Sequence, residues 1–228
     1  MTKEQPIIMN TEMVQAILDG RKTQTRCIIK DLEFFAYYED KEETKINYSD
    51  VGVEWFANAH SGDGFYAYNS EYTEEGCQKI KCPYGEVGNR LWVRETWQKV
   101  DNEIFYKAGF KHPEGVKWKP SIHMPRCASR ILLEIIDIRV EKLQDITVSD
   151  IQSEGIRMHL FGCSQDSNKD YVRGKTCGCA FYQNKYVDRP SVGSAFMKRW
   201  NSIYEKLGYG WNKNSWVWVI EFKRVEAI

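Results

Sequence analysis

The chain has 228 residues, of which 42% are hydrophobic and 14% aromatic, so it can bury a sizeable core and is not a disordered polymer. No apolar run approaches the ~20 residues that a membrane-spanning helix needs, and the polar start MTKEQP lacks the apolar stretch of a secretory signal. Seven cysteines form no regular framework, which favours free thiols in a reducing compartment. We expect one cytoplasmic domain over residues 1–228, with no membrane contact.

The net charge of zero hides an uneven distribution. Residues 39–75 contain ten acidic residues and two lysines, a net charge of −8, so the rest of the chain carries +8. That remainder is basic enough to bind a nucleic acid or nucleotide locally. Scattered glycines and the lack of a sustained period predict two loop-rich insertions, at about 39–80 and 157–190.

A short run after the first predicted helix is the best candidate for a reactive or ligand-binding edge. Apolar residues recur at helical spacing between Thr11 and Asp19, and Gly20 is placed for a left-handed cap. Lys22 and Thr25 are therefore expected to follow directly after a turn of fixed conformation. A solvated turn with no function is the competing interpretation.

Three segments have the composition of β-strands. Residues 90–97 are rich in β-forming side chains and could pair with residues 103–107 across the Asp101-Asn102 turn. Residues 129–143 predict a long, mostly buried central strand, and residues 216–225 a second one. So many strands with few helices favour a closed or nearly closed β-structure in an α+β fold.

Two helices follow the central strand. Thr147 and Asp150 fit a variant of the capping box, and Gly155 can end that helix, which places Glu154 at its C-terminal edge. The second helix, over residues 191–207, has one apolar face and stops at Gly208.

A basic segment, Trp118–Arg126, combines an aromatic side chain, cations, a histidine and two prolines. Prolines keep the backbone extended, so that basic side chains can reach phosphates while Trp118 offers a stacking surface. The competing interpretation is a rigid loop that only braces the fold. His123 by itself fits a structural role better than a catalytic one.

Metal and cofactor signals are weak. His159, Cys163, Cys177 and Cys179 could in principle bind zinc, but they lack the usual ligand spacing. Cys77 and Cys82 are weaker still. The chain has no glycine-rich phosphate loop, no nucleophile elbow and no zinc-protease helix. We expect no cofactor.

Four motifs together resemble the ASCH superfamily, specifically its phage and prophage branch. They are GRKTQT from Gly20, GNRLWVRE from Gly88, KPSIHMPR from Lys119 and WVWVIEF from Trp216. The resemblance implies a PUA-like β-barrel with flanking helices, a cleft for RNA or a modified nucleoside, and action in the cytoplasm of a bacterial host.

The chain is locally similar to bacterial N4-acetylcytidine amidohydrolases of that superfamily. The similarity implies catalytic roles for Lys22 as base, Thr25 as nucleophile and Glu154 as proton donor or acceptor. Cys27 stands where the superfamily has an arginine, with Arg26 displaced by one position. Cys127 stands where the branch has a tryptophan.

Three functions follow as hypotheses. The first is binding of RNA, single-stranded nucleic acid or a modified nucleoside, and the second is removal of an acyl group from N4-acetylcytidine-like nucleosides. The third is interaction with an unidentified protein through the acidic insertion. The expected binding residues are Arg21, Arg26, Arg94, Trp118, Lys119, Ser121, His123 and Arg126.

Overall fold

A computed structural model describes residues 3–30, 35–37, 43–45, 52–56, 64–68, 78–109, 115, 117–156 and 192–225. The strands are β1 (Glu4–Ile8), β2 (Gln24–Ile28), β3 (Phe35–Tyr37), β4 (Glu43–Lys45), β5 (Gly52–Phe56), β6 (Gly64–Tyr68), β7 (Gln78–Ile80), β8 (Arg90–Arg94), β9 (Trp97–Val100), β10 (Glu103–Tyr106), β11 (Leu132–Lys142) and β12 (Trp216–Val225). The helices are α1 (Thr11–Leu18), α2 (Val148–Ser153) and α3 (Val192–Tyr204).

A five-stranded sheet in the order β1-β8-β11-β12-β2 organises the fold. β1 and β8 are parallel, and the other neighbours are antiparallel. This mixed structure, mostly sheet with few helices, confirms the expected α+β class. β1 and β2 are the two edges, and no pairing joins them among the described residues. The closed PUA-like barrel stays a prediction.

Each face of this sheet has its own apolar cluster. One cluster joins Leu133 and Ile220 of the central strands to Val14 and Ile17 of α1. The other lies on the opposite face, where Val217, Val219 and Ile28 contact side chains of the two later helices, Ile151, Phe196 and Trp200. Alternate residues of each strand point to opposite faces, so β12 can serve both clusters.

β11 is the central strand of the sheet, as predicted for residues 129–143. It is buried only near its start, at Leu132, Leu133 and Ile135. Its register with β12 shifts between Ile135 and Asp137, and Ile136 is 45% exposed at this irregularity. The expectation of burial over most of the strand was therefore too broad.

The predicted strand over residues 90–97 is two strands. β8 belongs to the main sheet, whereas β9 pairs with β10 in a separate hairpin, with its turn at Asp101 and Asn102 as expected. The chain changes direction at Glu95, which is 1% exposed. Its carboxylate accepts two 2.9 Å hydrogen bonds from Arg130, and its N–H donates to Met124 Sδ. These contacts separate the two strands.

The first insertion contains more strand than predicted. β3 pairs with β4, and β5, β6 and β7 form an antiparallel sheet. Val53 and Ala67 are buried in the main core, and Phe65 meets Trp218 edge-on with ring centroids 5.0 Å apart. This part of the chain thus contributes to the core as well as decorating it. The second insertion, residues 157–190, lies outside the described residues.

The helix boundaries agree with the capping signals. Thr147 and Asp150 form both hydrogen bonds of a capping box at the start of α2. Gly20, Gly155 and Gly208 all have positive φ, at +72°, +86° and +81°. α3 ends at Tyr204, and a 3-10 turn fills the rest of its predicted span. No helix in the described part of the chain is long and apolar enough to cross a membrane.

Gly155 and Gly20 offer a matched test of close packing. A Cβ at Gly155 would lie 2.7 Å from the Cβ of Ala16 and 3.0 Å from that of Lys22, whereas a Cβ at Gly20 would meet nothing within 4 Å. We expect Gly155→Ala to lower the free energy of unfolding by about 2–4 kcal/mol, because backbone strain and overpacking add. Gly20→Ala should cost only about 1 kcal/mol of strain. Equal losses in urea titrations would contradict this packing account.

Candidate functional site

Lys22 and Glu154 form a buried ion pair. Lys22 Nζ lies 2.6 Å from Glu154 Oε2, and the two side chains are 0% and 6% exposed. Lys22 Nζ also donates to the carbonyls of Gln24, at 2.7 Å, and of Glu154, at 3.4 Å. The ammonium group thus has three acceptors, matching its three protons. The sequence resemblance had placed these two residues in one site, and the structure brings them together.

Arg26 extends the pair into an ion cluster, which we define as Lys22, Gln24, Arg26, Glu141, Asp150 and Glu154. Its guanidinium donates to the side-chain oxygen of Gln24 at 2.6 Å and lies 3.4 Å from both Glu154 Oε1 and Asp150 Oδ2. It also donates to the Glu141 carboxylate. Arg26 is 3% exposed. Such a buried cation needs this many acceptors because burial removes its hydration.

Local backbone geometry explains why the cluster forms. After α1 the chain turns at Gly20, and the N–H of Lys22 donates to the carbonyl of Ala16. The N–H of Thr23 then donates to Ser153 O at 2.9 Å, and Lys22 and Glu154 form an isolated antiparallel bridge. Side-chain alternation along β2 places Gln24 and Arg26 on the same face, towards α2.

Burial and partners shift the pKa values of the cluster in different ways. Desolvation lowers the pKa of Lys22, opposed by the attraction of the Glu154 carboxylate. Desolvation also raises the pKa of Asp150, but hydrogen bonds from Thr147 and Gln24 and the charge of Arg26 outweigh it, and the net pKa falls to about 2. Asp150 therefore stays ionised in the folded protein at neutral pH.

Arg139 closes the outer side of the cluster. It donates to Asp150 Oδ1 at 3.0 Å, contacts Glu141 at 3.5 Å and is hydrogen-bonded to Glu221. Glu221 in turn accepts a 3.1 Å hydrogen bond from the Gln24 amide. Positive and negative side chains therefore alternate from the buried Lys22–Glu154 pair to the partly exposed Arg139 and Glu221.

The third expected catalytic residue, Thr25, lies on the other face of β2. It is 5% exposed and opposite Ile220, which belongs to the core cluster with α1. No hydrogen bond links its hydroxyl with Lys22 Nζ or the Glu154 carboxylate, all three being described residues. The structure thus brings two of the three predicted catalytic side chains together.

Cys27 shares the face of Thr25. Burial raises the pKa of its thiol to about 12, despite a hydrogen bond from Tyr84, so the group is protonated and neutral at physiological pH. Cys27 therefore cannot replace an arginine as a cation. Arg26 carries a guanidinium one position earlier, but it points to the α2 face and is occupied by the ion cluster.

An open groove of about 350 Å³ lies beside the ion cluster, between the turn after α1 and helix α2. Its lining is mainly polar: Gly20, Arg21, Thr23, Ser149, Gln152, Ser153 and Ile156. Arg21 is held there by Asp19 and by a 2.7 Å hydrogen bond to Gly155 O. Lys22 and Glu154 do not line the groove, so a ligand in it would meet Arg21 and hydroxyl groups first.

The basic segment is fixed along its length. Lys119 and Trp97 exchange two backbone hydrogen bonds, of 2.8 and 3.3 Å. Arg94 donates to the carbonyls of Ile122 and Met124. Met124 is 1% exposed and packs with Trp97 and Ala128 in a small third cluster. The bracing role considered for this segment is therefore real.

The expected binding residues of this region differ in their exposure and in how far protein contacts already occupy their side chains. Lys119 and His123 are exposed, whereas Trp118 and Ser121 are partly buried. Lys119 lies over the Trp97 ring, 5.2 Å from its centroid, and Arg126 binds the Glu4 carboxylate at 2.7 Å. Arg21 and Arg26 direct most of their donors to protein groups, as described above, and Arg94 uses two of its donors in the same way.

Several residues of the ion cluster, and Arg139 beside it, were missed by sequence reasoning. Gln24 alternates with Arg26 on a strand, which is a visible signal of a shared face. Asp150 was identified from the sequence only as a helix-capping residue. Its second carboxylate oxygen accepts hydrogen bonds from Gln24 and Arg139. Glu141 and Arg139 gave no signal, because their relation to Arg26 depends on strands far apart in sequence.

The described residues contain no group of three or more His, Cys, Asp or Glu side chains placed to hold a metal ion. The weak zinc candidates His159, Cys163, Cys177 and Cys179 lie outside the described residues, as does Cys77. The three cysteines that the structure describes, Cys27, Cys82 and Cys127, are free thiols.

Comparison with known proteins yields no match among family models, curated proteins or solved structures. The ASCH resemblance therefore remains a prediction from the four sequence motifs.

A double-mutant cycle can test the buried pair. We expect Glu154→Gln to lower the free energy of unfolding by about 3–5 kcal/mol, because it leaves Lys22 buried without its counter-charge. Lys22→Met should cost less, since Arg26 still faces Glu154, and the double variant should be more stable than the sum of the single losses predicts. Guanidinium titrations measure all four proteins.

The pair of Lys223 and Glu134, 2.9 Å apart with side chains 57% and 29% exposed, is the more accessible control for this cycle. Lys223→Met and Glu134→Gln should each change stability by no more than about 1 kcal/mol. Additive losses in the buried cycle, or losses as small as those of the control, would rule out a tightly coupled pair.

Proposed function

We propose that this protein binds RNA or another single-stranded nucleic acid through the basic segment. The observation that carries the proposal is the combination of a fixed backbone with exposed cations. Within this segment Lys119 and His123 are exposed, next to the half-buried ring of Trp118, and Lys117 is exposed immediately before it. Because hydrogen bonds hold the backbone at Lys119 and His123, binding phosphate there would cost little conformational entropy.

Charge and chemistry agree with this proposal. Outside residues 39–75 the chain carries a net charge of +8, and phosphate contacts by lysine provide affinity without dependence on base sequence. Aromatic side chains next to cations are the usual elements of single-strand binding surfaces. The ASCH resemblance, which includes this segment among its motifs, also implies RNA or a modified nucleoside as ligand.

The PUA-like architecture is part of the same proposal. β1 and β2, the two edges of the sheet, are joined through α1, whose Val14 and Ile17 pack into the core cluster. A helix that connects the two edge strands and packs on the core is compatible with an incomplete barrel of this kind.

The Lys117→Ala/Lys119→Ala variant tests the binding proposal. We expect weaker binding to a labelled oligouridine and a salt dependence whose log–log slope falls by about 1.4, because each lost phosphate contact removes ~0.7. Fluorescence anisotropy between ~50 and ~200 mM salt measures both. Lys30→Ala/Lys206→Ala, which removes two exposed lysines from other elements, is the matched control.

Either of two results would overturn the proposal. One is the absence of binding to RNA and single-stranded DNA at low salt. The other is an equal effect of the two double variants, since binding would then depend on net charge alone and not on the basic segment.

A second candidate function is hydrolysis of an acylated cytidine. It is favoured by one contact, the 2.6 Å pairing of Lys22 with Glu154, which are two of the residues that the resemblance assigns to catalysis. The position of Thr25 on the other face of β2 ranks this function second. It predicts deacetylation of N4-acetylcytidine, measured by chromatography, with at least a ~100-fold loss in Thr25→Ala and in Glu154→Ala. Activity that survives in both variants would exclude this mechanism.

A further inference from the structure

The outer face of β1 and β8 lies next to the basic segment. Ile7, Leu91 and Val93 point into the core, so the alternating residues point outwards. In the register of these parallel strands, the outward pairs are Glu4 with Arg90, Pro6 with Trp92, and Ile8 with Arg94.

This outer face exposes apolar side chains at fixed positions. Ile8 is 54% exposed, and Ile122 of the basic segment is 57% exposed. Both flank Arg94, because Ile8 is its strand partner and the carbonyl of Ile122 accepts its hydrogen bond. Pro6 is also exposed, and Trp92 is partly so. Exposed apolar side chains grouped beside a partly exposed tryptophan are typical of an interaction site.

Cations surround these apolar side chains. Arg94 lies over the Trp92 ring, with its guanidinium carbon 5.4 Å from the centroid. Arg90 and Arg126 flank Glu4, which binds Arg126. Glu134 of β11 also lies opposite Arg90 and is itself paired with Lys223. Three arginines against two glutamates leave the face positively charged, before the lysines are considered. A partner of complementary chemistry presents flat apolar groups together with negative charges.

A nucleobase attached to a phosphate backbone has both properties. Guanidinium planes and tryptophan rings stack on bases, and aliphatic side chains cover their faces. Pro6 lacks a backbone N–H, which disfavours the addition of another strand at this part of the β1 edge. A peptide partner that extends the sheet is therefore less compatible than a nucleic acid strand.

We infer that the outer face of β1 and β8, with Ile8, Ile122 and the Trp92–Arg94 stack, holds the bases of a single-stranded nucleic acid whose phosphates lie along the basic segment. This inference rests on the proposed function and adds the site of base contact to it. It also predicts a preference for unpaired bases, because paired bases in a duplex cannot lay their flat surfaces on this face.

The experiment compares oligomers with and without bases. Full-length protein is titrated with labelled oligothymidine, oligouridine and an abasic oligomer of equal length and charge. We expect the wild type to bind the base-containing oligomers at least about tenfold more tightly than the abasic one. The Ile8→Ser/Ile122→Ser variant should reduce that ratio to about two or less, with an unchanged salt dependence. The DNA and RNA oligomers distinguish the two sources of the base.

Val148→Ser/Leu207→Ser is the matched control, because these side chains are 56% and 63% exposed on other elements. It should keep the wild-type ratio, and thermal unfolding should show that both variants remain folded. Equal wild-type affinity for all three oligomers, or an unchanged ratio in Ile8→Ser/Ile122→Ser, would overturn the base-contact site while leaving the proposed function intact.

Failure to bind any oligomer would overturn the proposed function and this inference together. The other candidate partner for this face is a second copy of the chain, and sedimentation of the same samples tests for that dimer. A dimer of the wild type that dissociates in Ile8→Ser/Ile122→Ser would show that these side chains serve self-association, and would overturn the base-contact site.

Discussion

The buried pair of Lys22 and Glu154 constrains the arrangement of the elements around it. β2 is an edge strand with a single strand neighbour. The ion cluster links the side chains of its α2-facing residues to α2. Burying a lysine costs free energy unless its charge is compensated. The end of α1, the start of β2 and the end of α2 must therefore lie close enough together for Lys22 to contact Glu154. Gly155 permits that approach, because a side chain there would collide with Ala16.

The same constraint limits what the pair can do chemically. Lys22 Nζ has three protein acceptors and a fully buried side chain, so it is not accessible to a substrate in this arrangement. Energetically this arrangement stabilises one relative position of β2 and α2. The surface around it, with Arg21 and the hydroxyls of the open groove, is where a small polar ligand would first make contact.

The basic segment illustrates how a structural role and the proposed binding role divide within a few residues. Two hydrogen bonds from Arg94, the burial of Met124 and the backbone contacts of Lys119 fix the course of the chain over β8. The side chains that remain outside, those of Lys119, Ile122 and His123, gain fixed positions from this support. A preordered surface of cations and apolar groups binds with a smaller entropy cost than a mobile loop of the same composition.

The sequence by itself determined the local structure well. Helix ends at Gly20, Gly155 and Gly208, the capping box at Thr147, and the turn at Asp101 all depend on short-range chemistry that neighbouring residues supply. The strands β11 and β12 were evident from their dense apolar composition. The association of Lys22 with Glu154 was reached only through resemblance to a family, since 132 positions separate them.

Tertiary structure alone decided which face each side chain occupies and which distant charges meet. The division of residues 90–97 into two strands depends on the contacts of Glu95 with Arg130 and Met124. The ion pair of Arg26 with Glu141 depends on the position of β2 two strands away from β11. Likewise, Thr25 lies three residues from Lys22 in sequence, yet its strand position turns it to the other side of the sheet. Local propensity acts over a few residues, whereas burial of charge is decided by the whole fold, which is why the first could be predicted from the sequence and the second could not.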